Sequence, residues 1–105
     1  MAYKPAPLPN FNSKMSSKSF VIKERRGADE SMIEFAKMTI MYSYTKYPDS
    51  DFDKCEFIKN QFKARYGHSW SCCFLKVGGV AFEYFDCWIL IDFDDYNIHI
   101  WKSAR

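Results

Sequence analysis

Four cysteines, two histidines and a run of alternating aspartates are the residues of this chain whose types could support chemistry. Cys72 and Cys73 are adjacent, and neighbouring side chains of a strand point to opposite faces, so the two cannot chelate one ion together. Cys55, Cys87, His68 and His99 show neither C-x-x-C nor H-x-x-x-H spacing, so a zinc site could come only from tertiary assembly. With no apolar leader ahead of them, the cysteines read as reduced thiols, each a small buried apolar residue. Asp49-x-Asp51-x-Asp53 has the alternation that opens a calcium loop, but the sixth position is Lys54 rather than Gly and the twelfth is Asn60 rather than Glu. These carboxylates suit the positive end of a helix dipole instead. His68 sits in a Gly-His-Ser turn, and His99 alternates with Ile98 and Ile100 as a sheet-face residue would. There is no G-x-S-x-G elbow, phosphate loop or metal-binding helix pair, and Gly78-Gly79 alone does not make a phosphate cradle. The expectation is a protein that is not an enzyme and has no cofactor and no metal.

The elements that must position these residues follow from hydrophobic period. Residues 1–18, rich in Pro, Ser and Asn without periodicity, read as a flexible basic tail, and a single domain is expected over 19–105. SFVIKER alternates as a short strand, which Gly27 breaks. Ser31-Met32-Ile33-Glu34 has the form of a capping box, and Ile33, Ala36, Ile40, Tyr44 and Tyr47 then recur at helical intervals until Pro48. A second helix is expected from the Asp49–Asp53 region, with Phe52, Cys55, Ile58, Phe62 and Tyr66 as its apolar stripe and Gly67 as its stop. SWSCCFLKV, VAFEYF, CWILIDF and YNIHIWK are short β-rich runs separated by Gly78-Gly79 and Asp94-Asp95. A strand, two helices and about four closing strands predict an α+β fold with an antiparallel sheet and the helices packed on it.

Composition narrows the function classes. A chain of 105 residues with 48% hydrophobic and 19% aromatic content can bury a core and should fold. No apolar run approaches the roughly 18 residues of a membrane span, so neither a span nor secretion is expected. The net charge of +2 divides unevenly: residues 1–26 carry six Lys/Arg against Glu24, and the remainder carries nine basic against twelve acidic residues. The folded part is mildly acidic and lacks the basic face of a nucleic-acid reader. An aromatic-rich small sheet points instead to an interface or a peptide-receiving edge.

Residues 54–74, KCEFIKNQFKARYGHSWSCCF, carry Ile58-Lys59, Phe62, Tyr66, Trp70 and Cys72 at the spacing Ile-Lys-x-x-Phe-x-x-x-Tyr, a short turn, then Trp-x-Cys. This resembles the second helix and following strand of the dynein light chain family. Ile98-His99-Ile100-Trp101-Lys102-Ser103 is similar to that family's closing strand, and the resemblance spans about residues 21–103. It implies a homodimeric, strand-exchanged hub of the cytoplasm and microtubule motor complex. Such a hub binds dynein intermediate chain or other client peptides by β-strand addition. It further implies that Lys76, Val77, Gly78, Gly79, Val80, Ala81, Phe82 and Glu83 form the crossing strand and receive the peptide. Asp51 and Phe52 at the start of the second helix, with Trp88, Leu90, Asp92, Asn97 and His99 on the sheet floor, would complete the site. Ser71, Val80 and Phe82 would lie at the dimer interface.

The departures from the family lie in the same places. The crossing strand lacks the family's hydroxyl side chains and histidine, Phe52 stands where a Lys is usual, and Asp92 and Asn97 replace Tyr and Ala. One residue is missing between Cys72 and Gly78, which bears on the strand's register. Ser71 occupies the place of the family's interface histidine, so any dimer is expected to lack the family's histidine-driven dissociation in mild acid. A peptide-binding hub is therefore the leading reading. The alternative is a structural or scaffolding protein of the same fold with a lost or altered groove.

Overall fold

The computed structural model describes residues 19–76 and 80–105. The N-terminal tail and Val77, Gly78 and Gly79 of the expected crossing strand lie outside the described residues. The elements are β1 (Val21–Arg26), α1 (Glu30–Lys46), α2 (Asp51–Tyr66), β2 (Trp70–Leu75), β3 (Trp88–Phe93) and β4 (Tyr96–Lys102). The strands form one antiparallel sheet in the order β1-β3-β4-β2, with both helices against one face, the α+β arrangement expected from period.

Helix boundaries follow from local chemistry. Asp29, not Ser31, caps α1: its carboxylate accepts the Met32 amide at 2.9 Å, and the Ser31 hydroxyl donates to the same carboxylate at 3.0 Å. A charged acceptor beside the free amides of the first turn outcompetes a hydroxyl one turn further in. Ser50 caps α2 by accepting from the Asp53 amide at 3.1 Å. The chain leaves α2 through Gly67 at φ 95°, in the left-handed region that glycine enters without Cβ strain.

Ile33, Ala36 and Ile40 of α1 and Ile58 and Phe62 of α2 are buried against Ile89, Ile91, Ile98 and Ile100 of the sheet. Aromatic rings link the layers: Phe35 meets Phe62 at 5.2 Å between helices, Phe62 meets Trp70 at 5.0 Å, and Tyr44 meets Phe93 at 5.2 Å. Two positions depart from the expected α2 stripe. Phe52 is 73% exposed, and Lys54 is buried in its stead. The Lys54 ammonium donates to the Pro48 carbonyl at 3.2 Å, pairs with Asp51 at 3.4 Å and lies 4.7 Å from the Tyr44 ring centre. Its charge is thus met on all sides, and its aliphatic stem fills the corner between the helices.

The closing region shows three strands among the described residues where about four were expected. VAFEYF forms no strand within the chain; residues 80–87 are irregular. The reason is topological. β2 and β3 both run antiparallel to β4 from opposite sides, so they are parallel to each other and the chain between them must return along their full length. Residues 80–87 belong to that return, and β4 has no edge left for them to join.

Gly27, at φ 71°, turns β1 into α1 directly beside the return segment. A Cβ at this position would overlap the Asp86 backbone carbonyl. Gly27→Ala is therefore expected to lower stability by about 2–4 kcal/mol, the sum of left-handed strain and backbone displacement. Urea unfolding of the variant at an unchanged slope would check this, and a loss below about 0.5 kcal/mol would refute the packing argument.

Candidate functional site

β2 lies at the end of the sheet and pairs only with β4, so its outer backbone has no strand partner among the described residues. Such an edge is a template for an incoming strand. The amino-terminal half of α2 borders it, and between them runs a groove of about 320 Å³ lined by Asp51, Phe52, Cys55, Glu56, Lys59, Cys72, Cys73 and Phe74. Spacing of three and four along α2 puts residues 52, 55, 56 and 59 on the one face that overlooks β2. The exposed Phe52 ring forms the lip. Around it Asp51 accepts a 2.7 Å hydrogen bond from the Tyr96 hydroxyl, and Lys59 pairs with Glu56 at 2.8 Å. The groove is therefore apolar at its floor and lip, with its nearest charges already engaged.

A second surface lies on the sheet face away from the helices. Alternation along β3 and β4 places Trp88, Leu90, Asp92, Asn97, His99 and Trp101 there, opposite the buried isoleucines. The return segment crosses this face. Phe82 stacks on Trp101 at 4.3 Å and meets Trp88 and His99 edge-on at 5.4 and 5.5 Å. The Tyr84 hydroxyl accepts a hydrogen bond from Arg26 at 3.3 Å. The Phe85 amide donates to the Lys102 carbonyl at 2.6 Å, and the Lys102 amide donates to the Cys87 carbonyl at 3.0 Å, tying the segment's end to β4. A cleft of about 420 Å³ remains between Val80, Lys23, Trp88, Leu90, Asp92, Asn97 and His99.

The residues expected at one peptide site thus divide between two surfaces. Asp51 and Phe52 belong to the groove at β2, whereas Val80, Phe82, Trp88, Leu90, Asp92, Asn97 and His99 belong to the open face. Ala81 and Glu83 point to solvent, and the Lys76 ammonium lies 5.1 Å from the Tyr96 ring centre. Ser71 shares a 3.0 Å hydroxyl contact with Ser103 at the far end of β2. Sequence reasoning missed Cys55, Glu56, Lys59, Cys72, Cys73 and Phe74 as groove residues. Continuing the i, i+4 face of α2 onward from Asp51 and Phe52 would have found the helical three.

No protein-family model matches the chain, and no curated protein matches it. Solved structures do. The dynein light chain-like domain of Fasciola hepatica calcium binding protein FhCaBP2 superposes in its native crystal form with a TM-score of 0.70 at 14% identity, covering 90% of this chain and all of that domain. Its mercury derivative gives 0.69 at 14% identity, with 92% and 99% coverage. The chain has the dynein light chain-like fold. At this identity the likeness concerns fold alone. Among the described residues no group of three or more His, Cys, Asp or Glu could hold a metal ion, and no helix is long and apolar enough to cross a membrane.

His99 carries the titratable chemistry of the open face. It is 4% exposed, and its Nδ1 accepts a 3.2 Å hydrogen bond from the Trp88 indole, with the two rings 4° from parallel. That bond requires the neutral imidazole. Burial holds its pKa below the usual 6.5, against an opposing pull from Asp92. A folded-state value below the unfolded one means that the folded chain binds fewer protons, so this contribution to stability is complete above about 6.5 and is lost as pH falls. The unfolding free-energy difference between wild type and His99→Leu should therefore shift towards the variant from pH 8 to pH 5. A difference independent of pH would show that the imidazole is not held neutral.

Proposed function

We propose that this chain is a non-catalytic binding module that takes up an extended peptide segment of a partner protein by strand addition. The observation that supports this reading is the unpartnered edge of β2 lying beneath an exposed Phe52 in an apolar groove. Main-chain hydrogen bonds to the edge supply affinity irrespective of sequence, and side chains of the guest that reach the Phe52 lip supply selectivity. In the fuller form of this proposal the guest site is built in a homodimer. The expected crossing strand, residues 76–83, pairs with β2 of the second subunit, and the client strand adds beyond it. The module would then act as a dimerisation hub or a dynein motor complex subunit, with dynein intermediate chain or unrelated clients as partners, in the cytoplasm at microtubules.

The stacking of Phe82 on Trp101 favours a second reading. If that contact persists in solution, the segment stays on its own sheet, the chain is a monomer, and the fold serves as a scaffold with an altered groove.

Sedimentation equilibrium across micromolar concentrations separates the two, a dimer being expected from the first and a stable monomer from the second. Titrating a dynein-light-chain client peptide into the isotope-labelled chain should move the amide signals of residues 51–59 and 70–83. Phe52→Ala should weaken the peptide about tenfold, the ~1.4 kcal/mol of one buried apolar anchor. Shifts confined to other surfaces, or no binding at millimolar peptide, would overturn the groove assignment.

A further inference from the structure

We propose that Cys55 and Cys72 form an oxidisable dithiol that closes to a disulfide between α2 and the edge strand β2, making the groove a site of redox modification. Both thiols line the groove, one on each wall, and both residues are half-buried. Cys72 and Phe74 of β2 line the groove with Cys55, and the Cys72 thiol and Phe74 amide beside it draw the Cys55 pKa below the usual thiol value. This favours the Cys55 thiolate, the form that reacts with oxidants. Cys72 is the matching partner: burial and the neighbouring Cys55 sulfur keep it protonated until Cys55 is oxidised.

The other two cysteines are placed differently. Cys73 projects from the opposite face of β2, in register with His99, so strand alternation denies it a bond with Cys72. Cys87 is buried with its sulfur 3.5 Å from that of Met32, and burial raises its pKa to about 11. It should not react.

With a peroxide as oxidant the chemistry balances in two steps. The Cys55 thiolate attacks one peroxide oxygen, the O–O bond breaks, and the departing hydroxide takes a proton to leave as water, giving Cys55 sulfenic acid. Cys72 sulfur then attacks the Cys55 sulfur, the S–O bond breaks, and a second water departs with the Cys72 proton. Two thiols and one peroxide become one disulfide and two waters. A disulfide holds its sulfurs at about 2.05 Å, closer than any thiol–thiol contact. It draws the first turns of α2 towards β2 across the slot an added strand must enter. That last consequence rests on the groove reading given above; the thiol chemistry does not.

The test treats the full chain with equimolar hydrogen peroxide, blocks residual thiols with N-ethylmaleimide, and maps the digest by mass spectrometry without reductant. The expected product is lighter by two hydrogens and links the peptides of Cys55 and Cys72. Cys55→Ser and Cys72→Ser should each abolish it, and Cys73→Ser should not. A link through Cys73, or Cys55 oxidised beyond sulfenic acid with no link, would overturn the assignment. The oxidised chain should bind a client peptide at least about tenfold more weakly, with recovery on reduction by dithiothreitol. Equal affinity in both states would overturn the gating while leaving the disulfide, and a mapped disulfide in a chain that binds no peptide even when reduced would count against the groove reading alone.

Discussion

The pairing of β4 on both of its edges is the constraint on which the rest of this structure depends. With Ile98 and Ile100 fully buried under the helices and ladder bonds running to β2 and β3, the strand has no unused backbone. Two consequences follow from hydrogen-bond geometry. β2 is left at the edge of the sheet, where its outer groups seek a partner. β2 and β3, parallel on either side of β4, cannot be joined by a tight turn, and residues 80–87 of their connection cross the sheet. The helices occupy one face, so the crossing takes the other, and its aromatic residues land on Trp88 and Trp101. An open edge and a covered face are thus two results of a single strand order.

The second helix translates that order into a binding surface. Burying Lys54 turns α2 so that Phe52 faces water beside the edge. The cost of an ammonium in the interior is offset by a carbonyl, a carboxylate and an aromatic ring around it. A large ring held 73% exposed contributes nothing to the core, and its place at the mouth of an apolar groove gives it a partner-binding role under the proposed function. The thiols of Cys55 and Cys72 lie deeper in the same groove. A conformational or redox event at either wall therefore acts on the space between helix and strand.

The two surfaces differ in what can perturb them. On the open face, neutral His99 accepts the Trp88 indole beneath Phe82, so protonation acts on the seat of the return segment. In the groove the nearest charges are paired, and sulfur chemistry is the remaining handle. The predicted acid response and the proposed oxidative response thus belong to opposite sides of one sheet.

Period and turn chemistry determined much of the fold in advance. The stripe from Ile33 to Tyr44, the stop at Gly67 and the alternation of Trp88–Phe93 each act within a few residues, so a linear reading reaches them. The helix and strand spacing about Ile58, Phe62, Tyr66 and Trp70 carried the fold resemblance for the same reason. Asp29 displaced Ser31 as a cap because two acceptors within one turn compete, and their relative strength is not a matter of pattern. What only tertiary structure decided is where elements distant in sequence meet. Strand order made VAFEYF a crossing segment despite its β-rich composition. It also separated Asp51 and Phe52 from the floor residues Trp88 to His99, and brought Cys55 to Cys72 across a groove. Periodicity records which face of each element is apolar, whereas the partner of that face is fixed by packing and by which hydrogen-bonding edges remain free.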